Sequence, residues 1–302
     1  MSERVDSDTP AATERPTPYS GASQAAIVHH YDISNDFYGV WLDSTLTYSC
    51  GLWKHDEDTL KTAQEHKLDY LARASGAVAK KRVLDIGCGW GGMLRRLRNR
   101  HDVEHVVGLT LSEAQAGSIS GWADGSCEVR VENWADHAPA GAYDAILSIE
   151  AFEHFAAMGM SRIARVGAYR DFFARCHEWL PRHGRLVLQT SVKGNNMRLE
   201  IQTVRDMRFI VDRIFPESEL PWASEILQAS EHRFDVVGAR NDPEDYVRTL
   251  GEWLGRLRRN RLRAEGMLGE EVVADYERYL GAAADAFANR HLGLMRIIFE
   301  RV

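Results

Sequence analysis

The run RVLDIGCGWGG, residues 82–92, constrains the fold more than any other stretch of this chain. A β-branched and aliphatic segment ends in Gly87, turns through Gly89 and Gly91, and enters the helical pattern GGMLRRLRNR (91–100). A strand that turns at once through glycines into a helix opens a βαβ unit. The alternation then repeats. HVVGLTL (105–111), CEVRVENW (127–134), YDAILSIEA (143–151) and RLVLQTSV (185–192) read as strands, with helical stretches such as AYRDFFARCHEWL (168–180) between them. Strands alternating with helices predict an α/β fold, a doubly wound and mostly parallel seven-stranded sheet.

After the fifth strand the pattern changes. Residues 195–230 read as two helices around FPESELP, and RFDVVGAR (233–240) resumes as a strand. EDYVRTLGEWLGRLRRNRLRA (244–264) reads as one long helix, with Tyr246, Val247, Leu250, Trp253, Leu254 and Leu257 at helical spacing, and GLMRIIFERV (293–302) as a last strand. Pro10, Pro16 and Pro18 among small polar residues predict a mobile tail over 1–20. A single domain is expected over 21–302, with helices in 21–80 interrupted by a polar-aromatic segment, and 195–232 as a cap over the substrate.

With a net charge of -7, bulk attraction to nucleic acid or an anionic membrane is not expected. No apolar run reaches membrane-spanning length, so no integral membrane contact is expected. Cys50, Cys88, Cys127 and Cys176 are scattered without metal or disulfide spacing, which fits a reducing cytoplasm and predicts no metal site.

The glycine spacing is G-x-G-x-G, with Asp85 two residues before the first glycine. It resembles the pattern of class I S-adenosylmethionine methyltransferases. Glycines allow close backbone approach to a ligand, and an acid at the strand end suits the ammonium of an amino-acid tail. Where the second strand ends, in GLTLSEAQ, Thr110 and Gln115 can bond ribose hydroxyls without charge. Asn133 and Trp134 close the third strand, where an indole can lie against adenine, and Ile149 ends the fourth.

HYDISNDFY (30–38), WLDSTLTYSC (41–50), VLDIGCGWGG, GLTLSEAQ, AFEHF and IFPESELP (214–221) occur in one order. Together they resemble the cyclopropane fatty acid synthase family, which includes the mycolic acid cyclopropane synthases. The resemblance implies cofactor contacts at Tyr48, Gly87, Gly89, Thr110, Leu111, Gln115 and Trp134. It implies that Cys50, Glu153 and Tyr246 belong to the pocket that holds bicarbonate, the family's proton acceptor. This chain departs from the pattern on the fifth strand, where Gln189 stands for a histidine and Ser191 for an apolar residue, and it carries an insertion, AAMGMSRIARVG (156–167).

The sulfonium methyl is an electrophile that an alkene or arene carbon attacks in line, leaving a cation on the neighbouring carbon. That chemistry needs a dry, aromatic-lined compartment and one base. In SIEAFEHF (148–155), Glu153 is the expected base, with His154 beside it and bicarbonate altered or absent because Gln189 cannot relay a proton. The expected activity is C-methylation of an unsaturated or aromatic, largely apolar small molecule of specialised metabolism. The alternatives are a cyclopropane synthase on an unsaturated acyl chain, a small-molecule N-methyltransferase, and a non-catalytic cofactor-binding protein. The arginine-rich stretch LGRLRRNRLRAEG (254–266) reads as a solvated face or as a dock for an acyl carrier protein.

Overall fold

The computed structural model describes residues 19, 21–23, 25 and 34–302; the expected mobile tail lies, apart from Tyr19, outside the described residues. Strands β1 (Arg82–Ile86), β2 (His105–Thr110), β3 (Cys127–Val131), β4 (Ala145–Ile149), β5 (Arg185–Lys193), β6 (Phe234–Asn241) and β7 (Leu292–Arg301) form one seven-stranded sheet. Its order is β3-β2-β1-β4-β5-β7-β6. β1 to β5 run parallel, and β7 lies antiparallel to both of its neighbours. The expected mostly parallel, doubly wound sheet is therefore the fold.

Successive strand residues point to opposite faces, and both faces are covered. Val83 and Leu147 pack with Leu68 of α2 (Leu60–Ala74) and Leu94 of α3 (Gly92–Arg100). Leu84, Ile86 and Leu188 pack on the other side with Tyr169, Phe172 and Phe173 of α5 (Arg162–Trp179) and Ile226 of α7 (Ala223–Ser230). Short polar side chains start several helices: Thr59 accepts from Thr62 N, and Ser161 from Ala164 N. Ser112 does the same for α4 (Glu113–Ser120), accepting from Gln115 N.

A third apolar body caps the carboxyl ends of the strands. Trp41 of α1 (Asn35–Trp41), Ile210 of α6 (Ile201–Arg213), Trp253 of α8 (Pro243–Arg259) and Tyr276 of α10 (Glu270–Ala288) meet in it. Here the structure departs from the sequence reading. The helix expected over 244–264 stops at Arg259, and α9 (Arg261–Leu268) starts afresh. Asn260 makes the break: its backbone N donates to Leu257 O at 3.1 Å and its Nδ2 to Arg256 O at 2.9 Å. α10, which supplies Tyr276, Tyr279 and Phe287 to the cap, had no counterpart in the sequence reading. The insertion divides in two: Ala157 bridges to Ser218, and from Arg162 onward the chain is already α5.

The strand order reverses between β1 and β4, and a crevice opens beyond their carboxyl ends. No helix among the described residues is long and apolar enough to cross a membrane, and no group of metal-ligating side chains occurs among them.

Candidate active site: two cavities meeting at Glu150

The first cavity fills that crevice. Tyr48, Asp85, Gly87, Gly89, Thr110, Leu111, Gln115, Asn133, Trp134 and Ile149, all expected at the cofactor, line it. Gly91 does not. It holds φ +79 at the start of α3, where a Cβ would come within 2.8 Å of Trp122, so it serves the turn. Gly87 has φ +80, and a Cβ there would lie 2.4 Å from the Cβ of Ala151. Only glycine lets β1 and the segment after β4 approach so closely. Thr110 Oγ1 donates to Gln115 Oε1 at 2.7 Å, fixing both side chains at the end of β2. Trp134 is walled by Phe155 and by Tyr19, whose ring meets it edge-on at 5.7 Å.

The residues present fit the expected cofactor. Asp85 is buried in this cavity and its Oδ1 has no hydrogen-bond partner among the described residues. Burial pushes its carboxyl up to about 7, against the pull of Lys67. A buried acid with an unused oxygen is a seat for an ammonium group. Binding a cationic tail there draws the proton off Asp85. The dissociation constant should therefore fall by about tenfold per pH unit as pH rises towards 7 and level off above it. Calorimetry between pH 5.5 and 8.5 checks this, and Asp85→Asn should flatten the profile; a flat profile in the unaltered protein would remove Asp85 from this role.

Beside this cavity the structure assembles Cys50, Gln189 and Tyr246, as expected, but it centres them on Glu150 rather than on Glu153. Glu150 Oε1 accepts from Cys50 N at 2.9 Å and from Gln189 Nε2 at 2.7 Å, and Oε2 accepts from the Tyr246 hydroxyl at 2.5 Å. All three partners donate, which suits an acceptor anion. Glu150 holds φ +52, a conformation that favours glycine. Cys50 contributes its backbone N–H; its thiol donates to Gly51 O at 3.2 Å and burial pushes it well above the usual thiol range.

Arg296, absent from the sequence reading, sets the Gln189 amide. It is fully buried on β7, and its Nε donates to Gln189 Oε1 at 2.8 Å. That turns the amide nitrogen towards Glu150 and Cys50 O. Arg296 also pairs with Asp242 and Asp245 and donates to Gly51 O at 2.7 Å. Lys67, fully buried on α2, was likewise missed; its Nζ donates to Ser49 Oγ at 2.5 Å, and burial lowers it to about 8 while Glu150 raises it.

A second cavity lies under the cap and shares Tyr48, Glu150 and His154 with the first. Its walls are mostly apolar and aromatic, among them Ile210, Phe215, Leu250, Tyr279 and Phe287, with Glu153, Ser191 and Tyr246 on the sheet side. Glu153 therefore lines the compartment, but Ser191 N donates to its Oε1 at 2.5 Å and it sits apart from the donor set around Glu150. Burial, then repulsion from Glu150, raises Glu153 to about 8. His154 is lowered to about 4 by burial, so it is neutral, and its Nδ1 bonds Ser218 Oγ at 2.7 Å. On the arginine stretch, Arg256 donates to Leu42 O, and Arg258 and Arg261 pair with Glu277, so these three serve the fold.

The family pattern described as Mycolic acid cyclopropane synthetase matches residues 20–297. The chain belongs to the mycolic acid cyclopropane synthase family. Hydroxymycolate synthase MmaA4 of Mycobacterium tuberculosis is 35% identical over 278 residues, covering 87% of this chain and 88% of its own. Cyclopropane mycolic acid synthase 3 of the same organism is 34% identical over 298 residues, covering 94% and 98%. The crystal structure of the cyclopropane synthase CmaA1 complexed with SAH and CTAB superposes with a TM-score of 0.84 at 30% identity, covering 93% of this chain and 99% of that one. Coclaurine N-methyltransferase, at 22% identity and a TM-score of 0.78, shares the fold. This member of the family is a methyltransferase dependent on S-adenosylmethionine.

Proposed function

We propose that the enzyme methylates an alkene carbon of an unsaturated acyl chain and that Glu150 accepts the proton released. The observation that carries this reading is the junction of the two cavities. An apolar compartment meets the cofactor crevice at Tyr48, Glu150 and His154, so one acid stands where donor and acceptor would touch. The relatives named for work on mycolic acids favour an acyl chain over the unsaturated or aromatic small molecule of the first expectation.

When bound, S-adenosylmethionine supplies an electrophilic methyl group. Asp85 would hold its ammonium, and the glycine turn would let the protein backbone come close to it. The aromatic walls exclude water and face the cation that forms on the substrate. Glu150, fixed by three donors, takes the proton. If the proton leaves the new methyl group a cyclopropane closes; if it leaves the chain a methyl branch remains.

Incubation with S-adenosylmethionine and cis-unsaturated acyl chains, presented free, on a phospholipid and on an acyl carrier protein, tests this. We expect S-adenosylhomocysteine together with a chain heavier by one CH₂, its branching read by NMR. Methylation of an amine or an arene with no turnover of any alkene would refute the reading.

A further inference from the structure

Helix α2 turns two long polar side chains inward. Gln64 and Lys67, one turn apart, are fully buried on a face otherwise made of Leu60, Ala63, Leu68 and Leu71. Both grip the stretch 47–50. Gln64 Nε2 donates to Ser49 O at 2.7 Å, and Lys67 Nζ donates to Ser49 Oγ at 2.5 Å. That stretch gives Tyr48 and Ser49 to the cofactor crevice and the Cys50 N–H to Glu150. Ser49 Oγ is the only hydrogen-bond partner of Lys67 among the described residues. An ammonium is costly to bury, and a methionine would fill the same space without that cost.

A hydroxyl that accepts from an ammonium keeps its own O–H to donate. Ser49 is buried, lines the crevice and has no acceptor for that O–H among the described residues. The crevice therefore holds two unmet polar groups, an acid oxygen on Asp85 and an O–H on Ser49. No lysine or arginine among the described residues lines it. Lys67 is the cation behind its wall, close enough to act on the Asp85 carboxyl, which burial raises and Lys67 lowers.

We propose that Lys67 positions the amino-acid tail of the cofactor: through Ser49 it presents a donor, backed by a positive charge, to the tail's carboxylate, and so selects a cofactor that carries this group. Lys67 itself does not line the crevice, so it is a positioning residue that acts through the serine. The ammonium behind the hydroxyl strengthens it as a donor, which favours an anion over a neutral acceptor. A second ammonium at Ser49 would face Lys67. With Asp85 taking the ammonium of the tail, two opposite buried charges meet the two opposite charges of one amino-acid group. A site built to hydrogen-bond a group discriminates strongly against the analogue that lacks it. The selection is independent of the methyl acceptor.

The test is the binding of three probes, followed by calorimetry below the Lys67 titration at about 8. They are S-adenosylhomocysteine, its decarboxylated analogue, and methylthioadenosine, which lacks the whole amino-acid group. We expect the unaltered enzyme to bind S-adenosylhomocysteine about tenfold or more tighter than the decarboxylated analogue. Lys67→Met should bring that ratio to about threefold or less and leave the affinity for methylthioadenosine unchanged. Ser49→Ala should do the same, and the double variant should lose no more of the ratio than either single one. Equal binding of the first two probes by the unaltered enzyme overturns the proposal. So does a Lys67→Met protein that binds all three probes equally more weakly, which marks a structural role. If Lys67→Met does not fold, Lys67→Gln, which keeps a donor without the charge, takes its place. An unchanged ratio in Ser49→Ala overturns the proposal whatever the Lys67 variants do.

Discussion

Glu150→Gln is expected to lower kcat by about a thousandfold while leaving the affinity for S-adenosylmethionine nearly unchanged. The amide can no longer accept the proton, yet it fills the same space between Cys50 N, Gln189 and Tyr246. Glu150→Gly is the more discriminating change. The residue sits at φ +52, so glycine relaxes the backbone rather than straining it. Three donors are then left aimed at a space the size of a small carboxylate. We expect this variant to be inactive alone and to be restored, saturably, by formate, acetate or bicarbonate, whereas the unaltered enzyme should not respond to added bicarbonate. A folded Glu150→Gly enzyme that keeps full activity without any anion, or that no anion restores, would show that the proton goes elsewhere.

Arg296→Met should be the most damaging single change to stability, by about 3–5 kcal/mol. The guanidinium is wholly buried, and Asp242, Asp245, the Gly51 carbonyl and Gln189 all depend on it. Removing it leaves the largely buried Asp245 carboxylate without its cation, while Asp242 keeps only its pair with Arg240. Urea denaturation measures the loss, and a change under about 1 kcal/mol would show that the network is not structural. The variant should also lose turnover beyond its loss of folded protein, because the Gln189 amide oxygen then loses the donor that fixes its orientation beside Glu150.

Much of the cofactor crevice was legible because its signals are local. A strand, a glycine turn and a helix within 82–100 specify a βαβ start, and the ends of the next strands must then surround the same ligand. Asp85 and Thr110 could be placed from strand position, and Gln115 and Trp134 from the segments just beyond the strand ends. What the sequence did not show involves contacts across long separations. Glu153 was preferred over Glu150, although both stand in SIEAFEHF, because burial between aromatic residues is visible in sequence and a donor set is not. The partners of Glu150 lie 39, 96 and 100 residues away. A second acid three residues before Glu153, at the very end of a strand, was the available signal.

Arg296 reads as an ordinary arginine in an apolar strand, and only the pairing of β7 with β5, opposite Gln189 in register, reveals what it orients. The helix break at Asn260 and the existence of α10 likewise escaped periodicity, since one asparagine and an alanine-rich run carry little pattern. The sequence by itself determined the sheet, its crevice and the class of donor, because hydrophobic period and glycine spacing act over a few residues. Which acid gathers three donors, and which keeps an oxygen without a partner among the described residues, was decided only by tertiary structure, because those contacts join residues far apart in the chain.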